Sequence, residues 1–138
     1  MGQEGTKMPE FSVVHHVALS VTDVERSREW YGRVLGFEEL RSATVAGVAL
    51  SVLHAPASAL SLTLCQHRAN RGERFDEKRT GLDHLSLAVA DLATLRAWRE
   101  HLDRVGVAHS PIAEDPFGPV LVFRDPDDIQ LELVVGAA

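Results

Sequence analysis

The chain has 138 residues, of which 45% are hydrophobic, and its formal net charge at pH 7 is -6. This length and composition predict one compact domain that folds without metal or disulfide staples. The acidic balance, with no block of Lys or Arg, excludes the electrostatic pattern typical of proteins that bind nucleic acid or an anionic membrane. We therefore expect a small molecule or another protein as the partner.

The chain contains a single cysteine, Cys65, and no run of about 18 apolar residues that could cross a membrane. One cysteine cannot form an internal disulfide, which is compatible with a reducing cytosol. The start of the chain lacks the apolar core of a signal peptide. We expect a soluble cytoplasmic protein with a flexible N-terminal tail over residues 1–10, followed by a single domain over 11–138.

The first predicted element lies in "VVHHVALSVTD", residues 13–23, where side chains alternate between two kinds. Val17, Leu19 and Val21 are apolar, whereas the side chains between them, His16, Ala18 and Ser20, are small or polar. This alternation predicts a strand, and the helical spacing in "DVERSREWYGRVLGF" predicts a helix capped by Thr22 or Asp23 and ended by Gly36. In such a strand His15 and His16 point to opposite faces, which puts His15 against the helix layer or near the end of the sheet.

Short strands are predicted next, over residues 43–54 and 59–66. The segment 67–81, "HRANRGERFDEKRTG", is charged and aperiodic, which indicates a long connecting loop.

The second half of the chain repeats the first at an offset of 68 residues, which places His84 on His16 and Trp98 on Trp30. A strand, a helix ended by Gly106, and strands over 120–124 and 129–135 follow in the same order. The predicted fold class is therefore α+β, with two βαβββ modules forming a cupped mixed sheet. Module one covers 11–66, the connecting loop 67–81 and module two 82–136.

The apolar face of each strand has to bury against its helix, so the opposite faces can line a shared pocket. Phe117 in the loop "EDPFGPV" is a further candidate, as an apolar lid over the pocket or part of an ordinary turn. The predicted pocket residues are Ala18, Ser20, Ser61, Thr63, Cys65, Ser86, Phe117 and Gln130.

Three metal-ligand candidates share those faces: His16, His84 and Glu132. Two imidazoles and one carboxylate suit Fe(II), Mn(II), Zn(II), Ni(II) or Co(II), with coordination positions left open for substrate or water. A histidine in a strand is often only a hydrogen-bonded structural residue, but the register of the two histidines favours ligation. No nucleotide cofactor is expected.

These motifs resemble the vicinal oxygen chelate superfamily, which includes glyoxalase I, bleomycin-resistance and fosfomycin-resistance proteins, methylmalonyl-CoA epimerase and extradiol dioxygenases. The resemblance rests on "HVALSVTDVERSREWYGRVLGF", "GLDHLSLAVADLATLRAW" and "VFRDPDDIQLELV", and covers residues 12–135. It implies a cupped sheet around a metal, with His16, His84 and Glu132 on three of the family's four ligand positions. The fourth position falls on Ser61 or Thr63, depending on the strand register.

The resemblance also bears on the reaction. Without a fourth carboxylate or amide, glyoxalase I, other lyase and epimerase activities are disfavoured, and the remaining set matches extradiol dioxygenases and fosfomycin-resistance enzymes. The chain departs from both classes of enzyme. Extradiol dioxygenases use a catalytic tyrosine close before the closing hairpin, whereas the only tyrosine here, Tyr31, lies on the first helix, where we expect it in the core. Fosfomycin-resistance enzymes have a threonine where this chain has Ala18. Asp128 replaces the usual hairpin glycine and tolerates a positive φ.

Our leading hypothesis is a metal-dependent enzyme, with dioxygenase-like chemistry as the first interpretation and a metal-free, ligand-sequestering protein of the bleomycin-resistance type as the alternative. The catalytic residues are unknown, and the weak candidates are Thr63 and His67. His67 is a possible general acid or base at the pocket mouth, or simply an exposed loop residue. The resemblance implies a homodimer and leaves open whether the pocket is completed within one chain or between two.

Overall fold

The computed structural model describes residues 5–136, which contain two α-helices and eight β-strands. In chain order these are β1 Val17–Ser20, α1 Val24–Leu35, β2 Glu38–Val45, β3 Val48–His54, β4 Ser61–His67, β5 Leu85–Val89, α2 Leu92–Arg104, β6 Ala113–Asp115, β7 Gly118–Arg124 and β8 Gln130–Val135. The order confirms the predicted α+β fold with two βαβββ modules. Neither helix in residues 5–136 is long and apolar enough to span a membrane.

Each module forms its own four-stranded sheet, in the order β1-β4-β3-β2 and β5-β8-β7-β6. The first strand of each module is parallel to the last, whereas the other neighbours are antiparallel. The repeat in the sequence is thus also a repeat in topology, and β1 corresponds to β5 as β4 corresponds to β8. In both modules, the parallel pair places the predicted polar faces of first and last strand side by side.

The helix boundaries follow the predicted signals. Asp23 accepts a hydrogen bond from the backbone N–H of Arg26 at 3.1 Å and begins α1, while Gly36 ends it at φ 78°. Asp91 begins α2 in the same way, accepting from the N–H of Thr94 at 2.8 Å. Thr22, the alternative cap, instead donates its backbone N–H to Asp127 at 3.1 Å in the other module.

The prediction was less accurate at the outer strands. The segment predicted as 43–54 is two strands joined by a tight turn, with φ 50° at Ala46 and 80° at Gly47, and β2 begins already at Glu38. The short strand β6 had not been predicted. Every residue of β2 and β6 is exposed, so these edge strands lack the alternation that burial of one face imposes on inner strands.

The two modules share one hydrophobic core, because α1 packs on its own sheet and its Trp30 also contacts Phe123 of module two. The ring centroids of Trp30 and Phe123 are 6.3 Å apart across this contact, and the Nε2 of His101 lies 2.8 Å from the carbonyl oxygen of Val34. Tyr31 is fully buried, which confirms its expected place in the core. The helices thus lie in the contact between modules, and the opposite face of each sheet stays free.

The turn that precedes β8 stabilises the contact between the two modules. Asp127 is buried and accepts hydrogen bonds from the N–H of Thr22 and from Nη2 of Arg26, each at 3.1 Å. Asp128 adopts φ 70°, so its tolerance of the left-handed turn, inferred from the sequence, is confirmed. Module one therefore holds the strand that carries Glu132 in a defined position relative to its own helix.

Candidate functional site

The free face of module two brings together two of the three predicted metal ligands. Ser86 in β5 pairs with Glu132 in β8, and His84 immediately precedes β5 on the same face. The Nε2 atom of His84 lies 3.5 Å from Oε1 of Glu132, and the two side chains are 36% and 17% exposed. A partly shielded imidazole and carboxylate at this separation can share a cation, with one side left accessible.

Asp83 orients the first of these ligands. Its Oδ1 lies 2.7 Å from Nδ1 of His84, so a proton on Nδ1 satisfies the carboxylate and leaves the Nε2 lone pair directed toward Glu132. A carboxylate behind a histidine is the usual outer partner of a metal-binding imidazole, because it fixes the tautomer and raises the basicity of the ligand. Asp83 had not been selected from the sequence, although its position next to His84 was visible there.

The third predicted ligand, His16, lies elsewhere. It immediately precedes β1, is exposed, and its Nδ1 is 2.9 Å from Nδ1 of His15, which is also exposed near the end of the sheet. Within residues 5–136, no three His, Cys, Asp or Glu side chains converge as a metal-binding group. A single chain thus brings His84 and Glu132 together but does not bring His16 to them.

The strand register distinguishes between the two residues proposed for the fourth ligand position. Ala18 in β1 pairs with Thr63 in β4, just as Ser86 pairs with Glu132 in module two. Thr63, and not Ser61, is therefore the counterpart of Glu132. A threonine hydroxyl can donate or accept a hydrogen bond but is a poor ligand for a borderline divalent ion.

Two residues on the free faces were not predicted as site residues from the sequence. His54 ends β3 opposite Ser61, and its Nε2 lies 3.7 Å from Oε2 of Glu38. Arg124 holds the corresponding place in module two, opposite Gln130. The alternation within "VALSVLH" and "GPVLVFR" puts both residues in phase with the pocket face, a signal that could have found them.

The other predicted residues are scattered. Cys65 is half-buried, and burial raises the pKa of its thiol, which disfavours a nucleophilic thiolate. His67 is the exposed last residue of β4, paired with Val48, and lies beside a separate surface cleft. Phe117 is 86% exposed in the turn between β6 and β7. None of the three contributes to the arrangement around His84 and Glu132 in the described part of the chain.

A cavity of about 510 Å³ opens between β1 and the connecting loop. Apolar side chains such as Phe75 and Ile129 line it, and charged side chains including Arg74 and Asp83 surround it. His84 reaches this cavity, as do two of the predicted pocket residues, Ala18 and Ser20. The remaining six lie outside it in the described chain: Ser61, Thr63, Cys65, Ser86, Phe117 and Gln130.

Comparison with known proteins agrees with this architecture. The model of the Glyoxalase/Bleomycin resistance protein/Dioxygenase superfamily matches residues 13–133. The chain is 30% identical over 129 residues to "Uncharacterized protein YaeR" of Escherichia coli strain K12, covering 87% of this chain and 93% of that protein.

Solved structures have the same fold. A glyoxylase/bleomycin resistance protein/dioxygenase domain from Frankia sp. EAN1pec superimposes with a TM-score of 0.84 at 38% identity, covering 93% of this chain and 94% of that one. At the level of the fold alone, the chain is similar to FosX, a fosfomycin resistance protein from Listeria monocytogenes (TM-score 0.73, 18% identity, 93% and 94% covered). It is likewise similar to TnmS3, an antibiotic binding protein from Streptomyces sp. CB03234 (TM-score 0.68, 22% identity, 93% and 100% covered). The family match and these relatives together show that the chain belongs to the Glyoxalase/Bleomycin resistance protein/Dioxygenase superfamily.

Proposed function

We propose that this protein is an enzyme that holds a divalent metal ion with His16, His84 and Glu132 and binds vicinal oxygen atoms of a small-molecule substrate to it. The observation that carries the proposal is the 3.5 Å approach of His84 Nε2 to Glu132 Oε1, with Nδ1 of the same histidine held by Asp83. These donors suit Fe(II), Mn(II), Zn(II), Ni(II) or Co(II). When bound, such an ion supplies Lewis acidity, or oxygen activation if it is iron.

We further propose that His16 reaches the other two ligands from a second copy of the chain. The helices occupy the contact between the modules, so the free faces of one chain do not close on each other. The centres of these faces are exposed at Ala18, Ser20, Ser86 and Ala88. A homodimer in which module one of one copy faces module two of the other would cover them and, by twofold symmetry, create two equivalent sites.

Within this site the protein's own residues have distinct roles. Asp83 keeps His84 in the tautomer that presents Nε2. Thr63 offers a hydroxyl at the fourth position, where it can orient a substrate oxygen or water by hydrogen bonding. Because Thr63 cannot move a proton as a carboxylate would, the set of two histidines and one glutamate favours dioxygenase-like chemistry over lyase or epimerase chemistry. A cytosolic location fits the single cysteine.

Metal analysis of untagged protein tests the proposal. We expect close to one equivalent of a divalent metal per chain after supplementation, and a large loss in His16→Ala and Glu132→Ala. Low metal in the unmodified protein under every supplementation, unchanged in both variants, would overturn the metalloenzyme. If metal binds, oxygen uptake with catechol-like substrates under Fe(II) separates dioxygenase chemistry from Lewis-acid chemistry.

The second candidate function is ligand sequestration without metal. Thr63 at the place that corresponds to Glu132 favours it, because that position contributes no ligand. TnmS3, which shares the fold, is an antibiotic binding protein. In this case, the metal analysis would give the negative outcome, while an apolar ligand would still bind and protect the protein against thermal unfolding.

A further inference from the structure

Arg124 places a positive charge on the same free face as His84 and Glu132. It ends β7 opposite Gln130, whose neighbour Leu131 pairs with Leu85, so Arg124 and His84 lie two strands apart at the same level of the sheet. Two strand spacings are roughly 10 Å, a distance that the long arginine side chain can shorten.

The guanidinium is already engaged with a carboxylate in bidentate geometry. Nη1 of Arg124 donates to Oε2 of Glu77 at 3.0 Å, and Nη2 donates to Oε1 at 2.9 Å. Two parallel N–H to oxygen bonds are the arrangement by which arginine recognises a free carboxylate. The Arg124 fork lowers the pKa of Glu77 to about 2, so the carboxylate is ionised at neutral pH.

Glu77 belongs to the connecting loop, which has other attachments to the same hairpin. Nη2 of Arg74 lies 3.2 Å from Oδ2 of Asp128, and the N–H of Phe75 donates to the carbonyl oxygen of Asp127 at 3.0 Å. Arg124 itself is held in place by the carbonyl oxygen of Asp128 at 2.9 Å. None of these three contacts of the loop and of Arg124 involves the Glu77 carboxylate.

We propose that Arg124 binds a carboxylate of the substrate on the free face that carries His84 and Glu132, and that the Glu77 carboxylate occupies the Arg124 guanidinium until the carboxylate of the substrate displaces it. This rests on the proposed function for the other end of the substrate, which binds metal through vicinal oxygens. Two strand spacings, roughly 10 Å between the backbones of Arg124 and His84, leave room for one small ring between the two ends of the substrate. The substrate class is therefore a small acid with a carboxylate at one end and two vicinal oxygens at the other.

The test compares two probes that differ only in the carboxylate, 3,4-dihydroxybenzoate and catechol. Calorimetric titration of the Zn(II)-loaded protein is expected to show 3,4-dihydroxybenzoate binding about 10-fold or more tightly than catechol, as for other hydrogen bonds to charged groups. In Arg124→Met that ratio falls to about one while the catechol affinity stays unchanged. In Glu77→Gln the ratio rises, because a neutral amide competes less well for the guanidinium.

Arg71→Met is the matched control, since Arg71 is an arginine of the same connecting loop that does not line the cavity, and it should leave the ratio unchanged. Thermal melting of each variant shows whether it is folded. A ratio near one in the unmodified protein, or a ratio that persists in Arg124→Met, overturns the assignment. A control that moves the ratio as much as Arg124→Met also overturns it, because the effect would then come from the loop.

A second measurement separates this inference from the metal site. In metal-free protein, the Nε–Hε NMR signal of Arg124, identified by its loss in Arg124→Lys, should shift with 3,4-dihydroxybenzoate and not with catechol. If the Arg124 signal shifts but Zn(II)-loaded protein does not bind catechol, the result supports carboxylate binding by Arg124 and counts against the metal site. If Zn(II)-loaded protein binds catechol but the Arg124 signal does not shift with 3,4-dihydroxybenzoate, the result supports the metal site and overturns the role of Arg124.

Discussion

The hydroxyl of Tyr31 donates a 2.8 Å hydrogen bond to Oδ2 of Asp125, joining the helix of module one to the hairpin of module two. Both side chains are buried, and Asp125 also accepts from the N–H groups of Asp127 at 2.8 Å and Ile129 at 2.9 Å. Burial raises the pKa of Asp125 despite these donors, and burial next to Asp125 raises the pKa of Tyr31 well above its usual range. This bond therefore ties the position of the Glu132 strand to the core.

Removing this hydroxyl should weaken the contact between the modules. In Tyr31→Phe the aromatic packing remains, but the Asp125 carboxylate loses a donor, which costs about 1.5–3 kcal/mol for a hydrogen bond to a charged group. Urea unfolding at neutral pH measures the loss. A double variant, Tyr31→Phe with Asp125→Asn, should lose less than the sum of the two single variants, and strict additivity would contradict the coupling.

Mixing two inactive variants tests whether the metal site is shared between copies. His16→Ala and Glu132→Ala each lack one ligand, but a mixed dimer restores one intact site of its two. With free exchange, half of the dimers are mixed, so about a quarter of all sites should bind metal again. Metal content after unfolding and refolding the mixture measures this, with each variant refolded alone as the control. Recovery no greater than in these controls would mean that the ligands belong to one chain.

Asp83 should matter for metal binding although it lies behind the ligand. Asp83→Asn removes the charge that orients His84, and loss of such a partner typically weakens metal affinity 10–100-fold. Competition with a fluorescent Zn(II) indicator gives the dissociation constant. Asp76→Asn is the matched control, since Asp76 also lines the cavity but accepts a hydrogen bond from the N–H of Lys78. Equal Zn(II) affinities of the two variants would contradict a role of Asp83 in metal binding.

His109 should make stability depend on pH. Its Nδ1 lies 2.6 Å from the carbonyl oxygen of Ser110 and its Nε2 lies 2.6 Å from Oδ1 of Asp103, so both nitrogens donate when the ring is protonated. The Ser110 carbonyl, followed by the Asp103 carboxylate, raises the pKa of His109 above its usual 6.5.

Because the pKa is higher in the folded state, the stabilisation is complete below the unfolded-state value near 6.5 and is lost as the pH rises through the folded-state value. The free energy of unfolding, measured by urea titration between about pH 5.5 and 8.5, should therefore decrease more steeply for the unmodified protein than for His109→Gln. Asp103→Asn should show an intermediate slope, since the Ser110 carbonyl remains. Parallel pH curves for all three proteins would contradict this role.

Much of the fold could be read from local patterns. The alternation around Leu19 and Leu87 and the caps at Asp23 and Asp91 depend on neighbouring residues, so they are visible in the sequence. The exposed edge strands β2 and β6 were missed or shortened because no burial imposes a pattern on them. His54 and Arg124 are in phase with the pocket face, but the offset of 68 residues that aligns the first strands does not align them with each other, so the repeat in the sequence does not reveal them.

The sequence by itself determined the two modules, their internal repeat and the face on which His84 and Glu132 lie, because strand and helix periodicity are local properties. Only the tertiary structure decided that Thr63 corresponds to Glu132, since that depends on the register of strands whose paired residues are 45 and 46 positions apart in the chain. It also decided how the modules pack. Contacts such as Trp30 with Phe123 put the helices between the modules and leave the free faces exposed, because the lowest free energy comes from burying both apolar layers together.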